Sequence, residues 1–189
     1  MAEASLDTGE RRQLLVIARQ SIEQGLHGGE PLRLAQDDLP PRLRETGGTF
    51  VTLRRHGELR GCIGTLEPHQ PLAQDVAEHA FAAAFRDPRF PPLRADELDD
   101  LTIDIAILGP AEELVFQDEA DLVRQLRPGA DGLILQEGAR RGTFLPSVWE
   151  QLPDPAEFLR QLKRKAGLPA DHWSDTLRVW RYGVEVVGG

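Results

Sequence analysis

The chain has 189 residues, with 22 Lys+Arg against 31 Asp+Glu and a formal net charge of −9 at pH 7. Its length suits one compact domain, and 40% hydrophobic with 28% charged residues is a globular composition rather than a disordered one. An acidic balance and only 6% aromatic residues argue against a nucleic-acid partner, which needs a basic footprint and base-stacking platforms.

In chain order, Leu14, Ile17, Ala18 and Ile22 recur at helical spacing and predict an amphipathic helix over roughly 8–25, ended near Gly25 and Gly28-Gly29. Pro31, Pro40 and Pro41 punctuate an irregular segment. Thr49–Arg54 and Glu58–Leu66 read as a β-hairpin turning at Arg55-His56-Gly57. Pro71 then opens a helix whose face of Leu72, Val76, Ala80 and Ala83 runs to about Arg86. Because that face is small and Ala-rich, something should pack very closely against it. Thr102–Leu108 alternates as a strand, and Asp118–Leu126 predicts a short helix. Leu133–Gln136 and Thr143–Leu145 pair as strands across a Gly-rich loop. Asp154, Pro155 and Glu157 start a helix buried through Phe158, Leu159 and Leu162 up to Gly167, and Leu177–Val187 reads as one terminal strand. Strands and helices interleave without a βαβ beat, which predicts an α+β fold with a mostly antiparallel sheet and flanking helices.

A single cysteine, Cys62, excludes an internal disulfide and an iron–sulfur cluster held by thiolates of this chain, and it fits a reducing compartment. The apolar run Leu14–Ala18 is too short for a signal-peptide core or a membrane span, so the chain reads as cytoplasmic with no membrane partner. His27, His56, His69, His79 and His172 form no metal-binding spacing, and no metal or other cofactor is expected. His79 is placed to approach the inner face of its helix. No hydrolase elbow and no phosphate-binding glycine loop is present.

Leu59-Arg60-Gly61-Cys62-Ile63-Gly64 carries the chemistry. Two glycines around a cysteine in a strand call for a bulge or for a surface that another group approaches closely. Simple alternation puts Arg60 and Cys62 on one face, where a guanidinium would favour thiolate, the reactive form of the side chain. The competing reading makes Cys62 a small buried hydrophobe. Downstream, Asp87-Pro88-Arg89-Phe90 closes the Ala-rich helix. Arg54, Arg55, Arg60, Arg86, Arg89 and Arg94 gather in one stretch, which suits either a small-anion pocket or an Arg–Asp clamp of Arg89 with Asp87 or Asp104.

With Gly48–Leu53, Leu59–Gly64, Ala83–Leu93, Gly132–Leu135, Gly142–Pro146, Phe158-Leu159 and Lys165–Leu168 in order, the chain resembles the AMMECR domain family over nearly its whole length. Bacterial and archaeal members of that family are called AmmeMemoRadiSam system protein A. The resemblance implies a single two-lobed domain over 1–189 with the cysteine motif near the cleft. It also implies association with a Memo-like protein and a radical-SAM protein, and it implies no reaction. Arg60, Gly61, Cys62 and Gly64 match its hallmark motif, while Asp87, Arg89 and Phe90 match a second. Gln136-Glu137 and the Trp149–Pro153 region are less typical.

Two functions follow as expectations. In the first, Cys62 and Arg60 are catalytic, with Arg89, Asp87, Gly61 and Gly64 holding a small anionic ligand. In the second, the chain is a non-enzymatic adaptor that docks a Memo-like or radical-SAM protein through the Gly-flanked strand. A further variant has Cys62 carrying a ligand between those partners.

Overall fold

In the computed structural model, which describes residues 5–188, Asp7 caps the first helix, α1 (Thr8–Gly28). Its carboxylate accepts from the N–H of Glu10, and the Glu10 carboxylate accepts in return from the N–H of Asp7. The predicted stripe of Leu14, Ile17, Ala18 and Ile22 is fully or almost fully buried. The proline-punctuated segment holds a 3₁₀ turn (Gln36–Asp38) and the single-turn helix α2 (Pro41–Arg44).

The hairpin consists of β1 (Thr49–Arg55) and β2 (Glu58–Gly64). Its two-residue turn has φ of 52° at His56 and 82° at Gly57, the left-handed pair whose twist suits adjoining strands. Pairing starts in register with Arg55 opposite Glu58 and Arg54 opposite Leu59, then slips by one residue. Beyond the slip Leu53 faces Gly61, Thr52 faces Cys62 and Phe50 faces Gly64, so Arg60 is the extra residue of a β-bulge. An unbroken register would have set Cys62 opposite Val51, a fully buried core residue. The bulge instead sets Gly61 opposite the buried Leu53 and turns Cys62 to the other face.

Helix α3 (Leu72–Phe85) covers the buried face and also packs on α1. Its alanines Ala73, Ala77, Ala80, Ala83 and Ala84 are all buried. The close approach that these small residues predict is made by Gly61, where a Cβ would lie 2.0 Å from the Ala83 carbonyl oxygen. After a 3₁₀ turn (Ala95–Asp100), β3 (Leu101–Leu108) pairs antiparallel with β1 and turns Leu101, Ile103 and Ile105 inward. The strand order of this first sheet is β2-β1-β3-β8, with β8 being Val184–Gly188.

The second sheet, β4-β7-β5-β6, combines β4 (Glu112–Glu113), β5 (Gly132–Glu137), β6 (Arg140–Phe144) and β7 (Arg178–Tyr182) in antiparallel pairs. It packs with α4 (Glu119–Gln125) and α5 (Pro155–Lys165) around Leu122, Leu133, Leu135, Phe158 and Leu162. The Trp149 ring stacks on Phe158 at 3.8 Å between centroids. The fold is α+β, as the sequence pattern indicates. It has two antiparallel sheets, and the stretch read as one terminal strand is two: β7 ends at Tyr182 in the second sheet, and after Gly183 the chain enters the first as β8. The two compact units are Gly109–Val184 and the remainder, the latter including the return of the chain from Glu185. Among the described residues no helix is long and apolar enough to cross a membrane.

Replacing Gly61 with Ala forces a methyl group against helix backbone rather than against a movable side chain. Gly61→Ala should therefore cost about 1–3 kcal/mol in urea unfolding. Gly183→Ala, where a Cβ meets nothing within 4 Å, should stay within about 0.5 kcal/mol of the parent.

Candidate functional site around Cys62

β2 is an edge strand, and an edge leaves backbone groups without strand partners. At Cys62 those groups are taken by the turn that follows α3. The Asp87 carboxylate accepts from the Cys62 N–H at 3.0 Å, and Arg89 Nη2 donates to the Cys62 carbonyl at 3.4 Å. Asp87 also accepts from the Arg89 N–H at 3.0 Å, from Arg89 Nε at 3.0 Å and from Arg89 Nη2 at 2.7 Å. The hydrogen bonds from the Arg89 side chain hold the Asp87 carboxyl far below the usual carboxylate range; burial pulls the other way, and the two backbone N–H groups reinforce the lowering. Arg89 is raised in turn, chiefly by Asp87 and to a smaller extent by charge on Cys62. While Asp87 is buried, the Arg89 side chain remains 56% exposed.

The structure thus builds the Arg–Asp clamp with Asp87, not Asp104, as the carboxylate, and the clamp fastens onto the backbone of the cysteine itself. Asp104 lies on β3 opposite Thr52, 3.8 Å from Arg54 Nε.

Arg60 and Cys62 do not share surroundings, because the bulge breaks the alternation between them. Arg60 is only 9% exposed and forms a fork with Glu97, Nε to Oε1 at 2.9 Å and Nη2 to Oε2 at 3.0 Å. Nη2 also donates to the Pro91 carbonyl at 3.0 Å, and Nη1 is buried without a hydrogen-bond partner among the described residues. Arg55 approaches the same carboxylate at 3.6 Å. Glu97 is lowered to about 2, first by its hydrogen bonds from Arg60 and against the opposing effect of burial. The Cζ atoms of Arg60 and Arg89 lie 5.9 and 5.6 Å from the Phe90 ring centroid. The Arg-Gly-Cys and Asp-Pro-Arg-Phe motifs are therefore one interlocked structure.

Cys62 is partly buried, and its sulfur accepts a hydrogen bond from Thr52 Oγ1 at 3.3 Å. On the same face, Gly64 lies under the Phe50 ring, which a Cβ at 64 would meet at 2.4 Å. Gly61 faces α3 and serves the packing of the helix on the strand. His79 is held on the helix-covered face, with Nδ1 3.0 Å from the buried Asp75 carboxylate and 3.2 Å from Thr49 Oγ1, away from Cys62. Among the described residues no group of three or more His, Cys, Asp or Glu is arranged to hold a metal ion.

Sequence reasoning missed Thr52 and Glu97. Thr52 could be found only from the slipped register, and Glu97 meets Arg60 across a sequence separation of 37 residues that carries no local signal. The site can present a thiol to a ligand, with one hydroxyl directed at the sulfur and a half-exposed guanidinium fixed beside it.

A two-sheet α+β protein with a clamped thiol on a sheet edge is the class that this geometry defines. Residues 15–187 match the AMMECR1 family, and the chain belongs to it. A Methanothermobacter thermautotrophicus protein is 44% identical over 188 residues, covering 98% of this chain and 97% of its own length. A Thermococcus gammatolerans protein is 40% identical, covering 92% and 87%. The crystal structure of uncharacterized protein PH0010 from Pyrococcus horikoshii superimposes with a TM-score of 0.87 at 35% identity, covering 96% of this chain and 92% of that one.

The folded-state pKa of Glu97 lies below its ordinary 4.5, so the stabilisation it supplies is complete above that value and is lost as pH falls through about 2. Glu97→Gln should thus be markedly less stable than the parent at neutral pH. The difference between them should shrink between pH 4.5 and 2 when both are followed by urea unfolding.

Proposed function

We propose that this chain is a cysteine-dependent enzyme, or the thiol-bearing component of one, acting on a small anionic ligand. The observation that carries the reading is the clamp. Asp87 and Arg89 fix the backbone of Cys62 and leave much of the Arg89 guanidinium open to solvent beside it. Buried Asp87 orients that guanidinium, and Arg89 binds the anionic group of the ligand. Cys62 acts as nucleophile or covalent anchor. Arg60, forked onto Glu97, holds the bulge that aims the thiol, a positioning role rather than direct contact with ligand.

An adaptor docking along β2 is the weaker reading. A partner strand would have to displace, at Cys62, a carboxylate engaged in four hydrogen bonds. Within the Memo-like and radical-SAM association that the family resemblance implies, the proposed role is that of the subunit supplying the thiol.

Iodoacetamide should alkylate Cys62 in the folded protein faster than a free cysteine near neutral pH. Millimolar phosphate or acetate should slow that reaction, and Arg89→Ala should abolish the protection. No labelling of the folded protein at pH 8 would end the nucleophile reading, and labelling indifferent to anions would remove the ligand from it.

A further inference from the structure

We propose that β8 is a self-association surface through which two copies of this chain join their first sheets edge to edge. Two hydrogen bonds at the end of β3 fix which way the main chain of β8 points. The Leu108 N–H donates to the Gly48 carbonyl at 3.0 Å, toward β1, and the Gly109 N–H donates to the Gly183 carbonyl at 2.9 Å, toward β8. Main-chain groups alternate in direction along a strand, so Gly183, Glu185 and Val187 turn theirs to β3. Those of Val184, Val186 and Gly188 turn outward, to the side of β8 that has no neighbouring strand. The side chains agree with this register. Val187 is buried in the core, Val186 is 59% exposed on the opposite face, and a Cβ at Gly188 would meet Asp104 Oδ1 at 2.6 Å.

The other sheet edges are engaged or very short. Asp87 takes the Cys62 N–H on β2, Lys165 donates to the Thr143 carbonyl on β6 at 2.8 Å, and β4 has only two residues. Among the described residues, no side chain hydrogen-bonds to the main chain of Val184–Gly188. β8 also lacks the proline and the outward charge with which proteins usually keep an edge from pairing. Its single charged residue, Glu185, shares the face of Val187 and is held there by Arg11 at 2.6 Å.

The partner that these features fit is a second copy. A two-fold axis at Val186, the centre of the strand, pairs its outward groups with their equivalents and pairs those of Val184 with those of Gly188. Every outward donor and acceptor of the strand is then used. The side chains brought together carry no charge, which matters in a chain of net charge −9, where most contacts between copies repel. Closure follows from the other edge. Head-to-tail pairing would need β2 as the acceptor, and Asp87 holds that edge, so pairing stops at a dimer instead of running on as a fibre. Strands of five residues bury less than the ~1,200 Å² of a standard interface, so the association is weak and concentration-dependent.

Sedimentation velocity of the full chain between about 10 µM and 1 mM should show a monomer giving way to a dimer. Val186→Lys sets like charges across the axis and should leave a monomer at every concentration, with the melting of the dilute protein unchanged. Val186→Cys in a Cys62→Ser background should form an intermolecular disulfide with diamide as the oxidant. A hydrogen-bonded antiparallel pair spans about 5.5 Å between Cα atoms, which a disulfide bridges. Thr102→Cys in the same background, exposed on β3 opposite Arg54 and away from the axis, should not cross-link. A monomer throughout the range would overturn the proposal. So would a dimer that survives Val186→Lys, or one in which Val186→Cys cross-links no faster than Thr102→Cys.

Discussion

One additional residue in β2 controls what the first unit can do. Close packing of an alanine-faced helix on a strand requires a position with no side chain, and Gly61 beneath the Ala83 carbonyl is that position. In a hairpin running in unbroken register from its turn, Gly61 would sit on the face away from α3, and the sulfur would sit on the face against it. Insertion of Arg60 exchanges the two. The cost is a side chain that has lost its place in the pleat, and the molecule meets it by burying Arg60 against Glu97 and the Pro91 carbonyl. A buried ion pair adds modest stability when compared with apolar packing, but removing one member strands the other charge. Its specificity lies in fixing the bulge at one residue.

The second half of the arrangement comes from the turn after α3. An exposed strand edge is ordinarily a liability for aggregation, and proteins blunt it with charges or cover it. Here the cover is an aspartate whose acceptors are filled by the edge strand and by a neighbouring arginine. Clamp and bulge act on opposite sides of Cys62, one through its backbone and the other through the residue two before it. The main chain at Cys62 is therefore fixed from both directions.

Periodicity and turn residues made most of the fold legible. The stripe of α1, the hairpin, the alternation of β3 and the start of α5 at Asp154-Pro155 are local patterns, and they appear where those patterns point. The Ala-rich face of α3 even announced a close contact. The break at Gly183 was less readable, because Val179 and Val187 are both buried although their strands belong to different sheets. At the site, the clamp of Asp87 and Arg89 was visible as a short-range pair two residues apart. The orientation of Arg60 was not. Alternation presumes an unbroken pleat, and a bulge is decided by what packs on the strand from outside, here α3 and Glu97. Thr52 was hidden for the same reason.

The path of the chain after Gly183 bears on synthesis. Residues to Leu108 supply three strands of the first sheet, but the fourth, β8, emerges only after the whole of Gly109–Val184 has been made. On a ribosome the second unit is thus free to form while the first still lacks its last strand. The side of β3 that β8 occupies waits with its backbone groups unpaired until Val184–Gly188 have been made. Completion of the sheet that carries Cys62 thereby waits on synthesis of the second unit, and a chain cut short within that unit keeps the thiol but not the fourth strand of its sheet.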